Sequence, residues 1–232
     1  MKDSSLLQLE KLKGDLNSKI VLQITREKKN DIKSIQISKG NNFSNLLKTN
    51  YIYFISEGFV LQFCNDRTGN EKALDIYRPN DILGIETMYN SMTTLEKSLA
   101  LTPVKLYAIP VKILEPYFCL YPSFLYNNLQ HSIFVKKIDL LGTLLPGDQR
   151  ILLTIIELLR SLGKTTNGTV YLPDFITHNI ISLFASVSRS YVSKTISILI
   201  TEGFLTQKGR FLACSDIDKL MNISIYFNNE YQ

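Results

Sequence analysis

Thr177-His-Asn-Ile-Ile-Ser-Leu-Phe-Ala-Ser-Val-Ser-Arg-Ser-Tyr-Val-Ser-Lys-Thr-Ile-Ser-Ile-Leu-Ile-Thr-Glu-Gly-Phe-Leu205 reads as two helices broken by a tight turn. Ile180, Ile181, Leu183 and Phe184 give the first helix an apolar side. Ala185-Ser186 is small enough for the chain to turn, Val187 fills the corner, and Ser188 is a good N-cap for the second helix. In that helix Val192, Ile196, Leu199 and Ile200 make one apolar stripe at helical spacing. The opposite face carries Arg189, Ser190, Ser193, Lys194 and Ser197. An apolar back and a basic, hydroxyl-rich front near the N-terminus suit a helix that reads a major groove. Gly203 closes that helix. Two short apolar runs, Phe204-Leu205-Thr206 and Phe211-Leu212-Ala213, then flank the basic tip Gln207-Lys208-Gly209-Arg210, a hairpin or wing. A generic amphipathic helix pair has the same periodicity. The small turn residues, the cap, the basic front and the basic tip together favour helix-turn-helix.

Working outward, 232 residues suffice for one large or two medium domains, and 45% apolar content supports real cores. The net charge of +5 favours polyanionic partners. Residues 164–211 hold five Lys/Arg against two acids, but the first 47 residues hold nine against five, so charge alone does not locate a DNA face. Cys64, Cys119 and Cys214 lie far apart, without pairing or metal spacing, as expected of thiols in a reducing compartment. The charged N-terminus does not read as a signal peptide. No run approaches the ~18–20 apolar residues that span a bilayer. A soluble, cytoplasmic protein is expected.

Leu6, Leu9, Leu12, Leu16, Ile20 and Ile24 predict helix over residues 2–28, with Gly14 a candidate break into two. From Ile32 to Ile109 short apolar runs alternate with turn signals. Strands are expected at Ile35–Ile37, Tyr51–Ile55, Phe59–Cys64, Ala73–Tyr77, Ile82–Leu83, Ser98–Leu101 and Val104–Ile109, a pattern that suggests a sandwich or barrel. Turns fall at Glu57-Gly58, Asp66–Asn70 and Pro79–Asp81. A short helix is expected at Val111–Phe118 and a long one from Ser123 to Leu145. The long helix carries two apolar rows: Tyr126, Leu129, Ile133, Leu140, and Phe134, Ile138, Leu141, Leu145. One row can cover the barrel while the other meets a second copy, as in a two-stranded coiled coil. Lys136 and Lys137 interrupt the seam, so a plain surface helix stays open as the alternative. Pro146-Gly147 is a natural hinge into a helix over Asp148–Leu162, followed by a loop and strand at 163–172.

The order and spacing of these parts resemble the Crp/Fnr family of bacterial transcription regulators, over roughly residues 30–220. The carriers are Tyr53-Phe-Ile-Ser-Glu-Gly-Phe-Val60, Tyr77-Arg-Pro-Asn-Asp-Ile-Leu-Gly84 and the helix pair quoted above. The resemblance implies an α+β chain: an N-terminal β jelly-roll barrel of the cyclic-nucleotide-binding type, a long dimerisation helix and a C-terminal winged helix-turn-helix. The expected domains are 1–119 for the helices and sensor, 120–146 for dimer helix and hinge, and 147–232 for DNA binding. Arg189 matches the family's first recognition-helix arginine and can address a guanine edge. Ser190 stands where an acidic base reader is usual, so the operator departs from the usual half-site. Lys194 fills a second arginine position. Thr177 matches a phosphate-contacting position, and helix N-termini favour phosphate. Ser188, Ser193, Lys208 and Arg210 complete the expected DNA surface.

The sensor half departs from the pattern. An effector pocket would involve Gly84, Glu86, Lys97 and Ser98. Gly84-Ile85-Glu86 displaces the expected Glu by one, and Thr94-Leu95-Glu96-Lys97-Ser98 offers a compact ammonium where an arginine fork holds a cyclic phosphate. Typical cyclic AMP binding is not expected. The first 63 residues hold no cysteine cluster for iron–sulfur, and no His precedes His131 as a haem ligand. No cofactor or metal is expected. In lacking the nucleotide-holding residues, the Lys-, Asn- and Ile-rich sequence looks closer to the branch of the Listeria virulence regulator.

The main reading is a homodimer on a palindromic site in double-stranded DNA, with an unidentified small-molecule effector or constitutive binding. RNA polymerase is a partner if the chain activates. The rival is a cupin-like jelly-roll enzyme, which needs clustered His and carboxylate ligands. His131 and His178 are the only histidines and both lie outside the expected barrel. No catalytic residues are assigned. A third reading, ligand binding without DNA binding, is discouraged by Arg189 and Lys194.

Overall fold

Buried β-strands read as unbroken apolar runs because both faces lose their water, and Tyr51–Ile55 shows why here. In the computed structural model, which describes residues 3–48, 50–65, 69–85, 96–131 and 144–226 (side chains of 3–12 and 224–226 excepted), this run forms β2, Tyr51–Glu57. Ile52 and Phe54 face a core shared with helices, while Tyr53 and Ile55 face a second core among the strands.

Two compact units divide the chain, residues 1–137 and 138–232. The first opens with α1, Asp3–Glu27, and then forms two antiparallel sheets. One sheet has the order β1 (Lys33–Ile37), β7 (Val104–Pro110), β2, β5 (Ile82–Leu83). The other runs β4 (Glu71–Tyr77), β3 (Val60–Asn65), β6 (Glu96–Ala100). Among the described residues these are two open sheets and not a closed barrel. Ile37, Val60, Tyr77, Leu83, Ala100 and Leu106 pack in one core. Gly58 links β2 to β3 at φ +88°, and a Cβ there would lie 2.2 Å from the Pro103 carbonyl, so only glycine fits. α2 (Val111–Leu120) and the helical residues 122–131 (α3, as far as described) lie with α1 against the four-stranded sheet. Ile20, Ile24, Ile52, Ile109, Leu114 and Phe124 are its fully buried contacts.

α1 differs from expectation in two ways. It runs unbroken through Gly14, whose single-residue helix cost of about 1 kcal/mol is small beside the burial of Ile20, Val21 and Ile24. Its buried face includes polar Lys13 and Asn17 beside Ile20, Val21 and Ile24, while Leu16 is half-buried. Lys13 Nζ lies 2.7 Å from Asp81 Oδ1, both side chains nearly inaccessible. Asn17 donates to the Asn80 carbonyl at 2.9 Å and exchanges amide hydrogen bonds with Asn128 on α3. The β4–β5 turn, with Asn80 at φ 75°, is therefore held by α1 through buried polar contacts. A further tie joins His131 Nε2 on α3 to Asp75 Oδ2 on β4 at 2.9 Å. Burial pushes the Asp75 carboxyl up, but the His131 contact and charge, with Lys13, outweigh it and hold the group below its ordinary range.

The described part of the second unit begins at Leu144, and its first helix is α4, Gly147–Leu162. Ile151, Leu152, Ile155, Ile156 and Leu159 give it an apolar face that packs on α5 (His178–Ala185), α6 (Arg189–Thr201) and α7 (Ile217–Tyr226). The loop and strand expected at 163–172 is a hairpin, β8 (Lys164–Thr166) and β9 (Thr169–Tyr171). Asn167 and Gly168 both take positive φ, as a two-residue primed turn requires. With β10 (Thr206–Lys208) and β11 (Phe211–Cys214) it makes a sheet ordered β10-β11-β9-β8. Among the described residues no helix is long and apolar enough to cross a membrane. Asp66–Thr68, Glu86, Thr94, Leu95, Ile133, Phe134, Lys136, Lys137, Ile138, Leu140 and Leu141 lie outside the described residues.

Candidate nucleic-acid interface

The helix pair at 178–201 is built from its caps. Thr177, in extended backbone, accepts the Ile180 N–H at 3.3 Å and starts α5. Ser188 accepts the Tyr191 N–H at 3.2 Å and starts α6. Each cap satisfies one orphan amide and contributes about 1 kcal/mol. Ser186 ends α5 in the left-handed conformation (φ 51°, ψ 50°), which costs an L-residue about 1 to 2 kcal/mol. Val192, Ile196 and Leu199 are buried at 5% exposure or less, so the stripe points inward and fixes the other face outward. Ile200 is half-buried. Glu202 caps the end and Gly203 follows at φ +76°, with the Phe204 N–H reaching back to the Leu199 carbonyl.

On the outward face Arg189, Ser190 and Lys194 are exposed, and Thr177 and Ser188 are exposed beside them. Ser190 Oγ lies 3.0 Å from Ser188 Oγ. Ser193 is half-buried, and its hydroxyl donates to the Arg189 carbonyl at 3.1 Å while lying 2.8 Å from His178 Nδ1. With the hydroxyl proton given to the carbonyl, the imidazole donates through Nδ1–H. Burial, and then the Arg189 charge, hold the His178 imidazole below its ordinary range. Lys208 and Arg210 are exposed on the β10–β11 hairpin, whose turn passes through Gly209 at φ +61°. The face can donate charged hydrogen bonds to an anionic partner at Arg189 and Lys194, with two more cations at the hairpin tip.

Three residues here carried no sequence signal. His178, noted only as a histidine outside the expected barrel, is the first residue of α5 and meets Ser193 across the helix pair. Tyr191, 40% exposed on α6, covers Gly147 at the start of α4. Arg150 donates from Nε to the Ala185 carbonyl at 2.8 Å, and from its terminal nitrogens to Leu145 at 3.2 Å and Ser186 at 3.3 Å. An isolated arginine inside an amphipathic helix reads as a solvated charge unless its distant partners are known.

The sensor-side residues are spread over both sheets. Gly84 follows β5 at φ 88°, and Glu86 lies outside the described residues. Lys97 and Ser98 are on β6. The Lys97 ammonium stands 5.8 Å from the Phe63 ring centroid, and the fully buried Ser98 donates its N–H to Ser44 Oγ at 2.7 Å. On α3, Tyr126 is exposed and Leu129 half-buried. Pro146 is the N-cap of α4, with Gly147 its first residue. Among the described residues no cluster of His, Cys, Asp or Glu could hold a metal ion.

By sequence, no family model and no curated protein matches the chain. By structure it resembles a cyclic nucleotide-binding domain containing protein from Listeria monocytogenes EGD-e, 19% identical over 86% of this chain and 98% of the other, with a TM-score of 0.73. A CRP/FNR-family transcriptional regulator from Thermus thermophilus is also similar, 19% identical over 83% and 98% of the two chains, with a TM-score of 0.66. FixK2 from Bradyrhizobium japonicum is similar as well, 16% identical over 82% and 96% of the two chains, with a TM-score of 0.68. The chain therefore has the mixed helix-and-sheet fold of structures in the Crp/Fnr group, across both of its units.

Proposed function

We propose that the chain is a sequence-specific, DNA-binding transcription regulator that acts as a homodimer on a palindromic site. One observation carries this reading. A capped helix turns its apolar stripe inward and leaves Arg189, Ser190 and Lys194 exposed, beside a hairpin ending in Lys208 and Arg210, in a chain folded like Crp/Fnr regulators. In this reading α5 and α6 are a helix-turn-helix, the hairpin is its wing, and α6 enters the major groove. Arg189 addresses a guanine edge, and Ser190, Ser193 and Lys194 take neighbouring bases or phosphates. Thr177, Ser188, Lys208 and Arg210 hold the backbone.

The domains are 1–119, a jelly-roll sensor with its helices; 120–146, the dimer helix and hinge; and 147–232, the DNA-binding part. Tyr126, Leu129, Ile133 and Leu140 form the dimer seam, and Pro146-Gly147 is the joint. A small molecule other than cyclic AMP acts near Gly84, Glu86, Lys97 and Ser98, or binding is constitutive. The protein is not an enzyme, works in the cytoplasm, and meets RNA polymerase if it activates.

The test is selection of genomic fragments by the purified protein at near-physiological salt, with and without cell extract. Enrichment of a palindrome with half-sites about one helical turn apart is expected. Recovery of unrelated sequences in proportion to their abundance, under both conditions, would overturn the reading.

A further inference from the structure

The segment that leads into α4 is fastened to the turn between α5 and α6 at two points. Arg150 is the first. Its guanidinium reaches the Leu145 carbonyl ahead of the helix and the Ala185 and Ser186 carbonyls across from it. One planar fork thus joins the connection to a turn whose central residue, Ser186, is in the left-handed region. A lysine has one point charge and no fork, and cannot span three carbonyls on two segments. Tyr191 is the second. It lies in the first turn of α6, and its ring covers Gly147 so closely that a Cβ at Gly147 would sit 2.6 Å from Cε1 and 3.4 Å from Val187 Cγ1. Gly147 takes an ordinary helical backbone, so what a side chain there would meet is the ring, which must shift to admit a methyl.

We propose that Arg150 and Tyr191 are positioning residues that make Leu145–Gly147 and the start of α6 one mechanical unit. Any displacement of Leu145 turns the face that carries Arg189 and Lys194. The consequence for DNA rests on the function proposed above; the coupling itself does not. Its two contacts differ in chemistry, so they can be broken independently.

Hydrogen exchange on the full-length protein, resolved for peptides covering residues 183–195, reads the coupling without DNA. Gly147→Ala drives a methyl into the Tyr191 ring and should speed exchange of the first α6 turn about tenfold. Tyr191→Leu in the same chain makes room, so the double variant should match Tyr191→Leu alone. Arg150→Lys keeps the charge, loses the fork, and should speed exchange across 185–189. On a duplex recovered by genomic selection, Gly147→Ala should weaken binding by a similar factor, with Tyr191→Leu relieving the effect. The proposal fails if Gly147→Ala leaves exchange at wild-type values. It also fails if its effect persists undiminished beside Tyr191→Leu. A wild-type chain that selects no DNA sinks the regulator reading, while the exchange data still decide the coupling.

Discussion

Replacing Lys13 by methionine removes the cation from an ion pair that is almost wholly inaccessible, its side chains 3% and 5% exposed. Among the described residues, the Asp81 carboxylate then keeps the Arg78 N–H at 2.8 Å and the Arg78 guanidinium at 3.7 Å. Stranding one partner of a buried pair costs about 3 to 5 kcal/mol, and the surviving Arg78 contacts put this case near the lower figure. For a unit of residues 1–137 that loss lowers Tm by roughly 10 °C. Thermal unfolding followed by near-ultraviolet circular dichroism of the tyrosines measures it. The control is Lys13→Met combined with Asp81→Asn, whose neutral amide still accepts the Arg78 N–H. Removing both charges is far cheaper than removing one, so the double variant should recover at least half of the lost Tm. A single variant within about 2 °C of the parent, or a double variant less stable than the single, would refute the reasoning.

Arg189→Ala should cost about 1 to 3 kcal/mol of affinity on a selected DNA site and relax base choice at one position, as read by competition binding. Equal affinity for selected and random duplexes in both proteins would remove Arg189 from the reading set. Ile196→Ala, at 1% exposure beneath α6, should destabilise the second unit by about 2 to 5 kcal/mol in urea unfolding, because it leaves a cavity. A third expectation concerns alkali. The Glu27 carboxylate accepts from the Tyr117 hydroxyl at 2.5 Å, and that bond, with burial, pushes the phenol from 10.0 up to about 12. A raised pKa favours the neutral phenol in the fold. Its contribution is therefore full below pH 10.0 and is lost as the pH climbs through about 12. Tyr117→Phe should flatten the fall in stability over that window, and an unchanged profile would assign it to other groups.

The strands were legible because their apolar runs and turn residues are local. All seven runs between Ile35 and Ile109 overlap strands of the first unit, with Phe59 and Leu101 lying just outside β3 and β6. The stripe of α6 was legible for the same reason, since Val192, Ile196 and Leu199 lie within two turns of helix. The buried network was not. Lys13 and Asn17 sit at i, i+4 on α1 outside the apolar periodic row, while their partners Asn80, Asp81 and Asn128 lie 63 to 111 residues away. Periodicity reports which face is apolar, and here the chain places polar groups in a core because their hydrogen bonds are met there. The β8–β9 hairpin was missed although Asn167-Gly168 is a strong turn signal, because its strands are three residues each and carry little apolar pattern. α7 was missed although Asp216 is a good N-cap, its Oδ1 accepting the Lys219 N–H at 2.8 Å. At the candidate interface the exposed cations could be found by helical wheel alone. The contacts that orient them, from Arg150 and Tyr191, depend on what α4 packs against.

The hydroxyls along α6 give the exposed face a chemical polarity of its own. Ser193, Ser197 and Thr201 each donate to the carbonyl four residues earlier, at 2.9 to 3.1 Å. A hydroxyl has one proton, so what the exposed Ser197 and Thr201 still present outward is lone pairs, while the half-buried Ser193 gives one of its own to His178. Arg189 and Lys194 present only hydrogens. The helix therefore displays donors on long, mobile stems and acceptors on short, fixed ones, interleaved over three turns. A surface complementary to it carries oxygen or ring nitrogen opposite the stems and amino hydrogens close to the helix axis. Phosphate alone supplies the first of these and not the second; the edges of paired bases supply both.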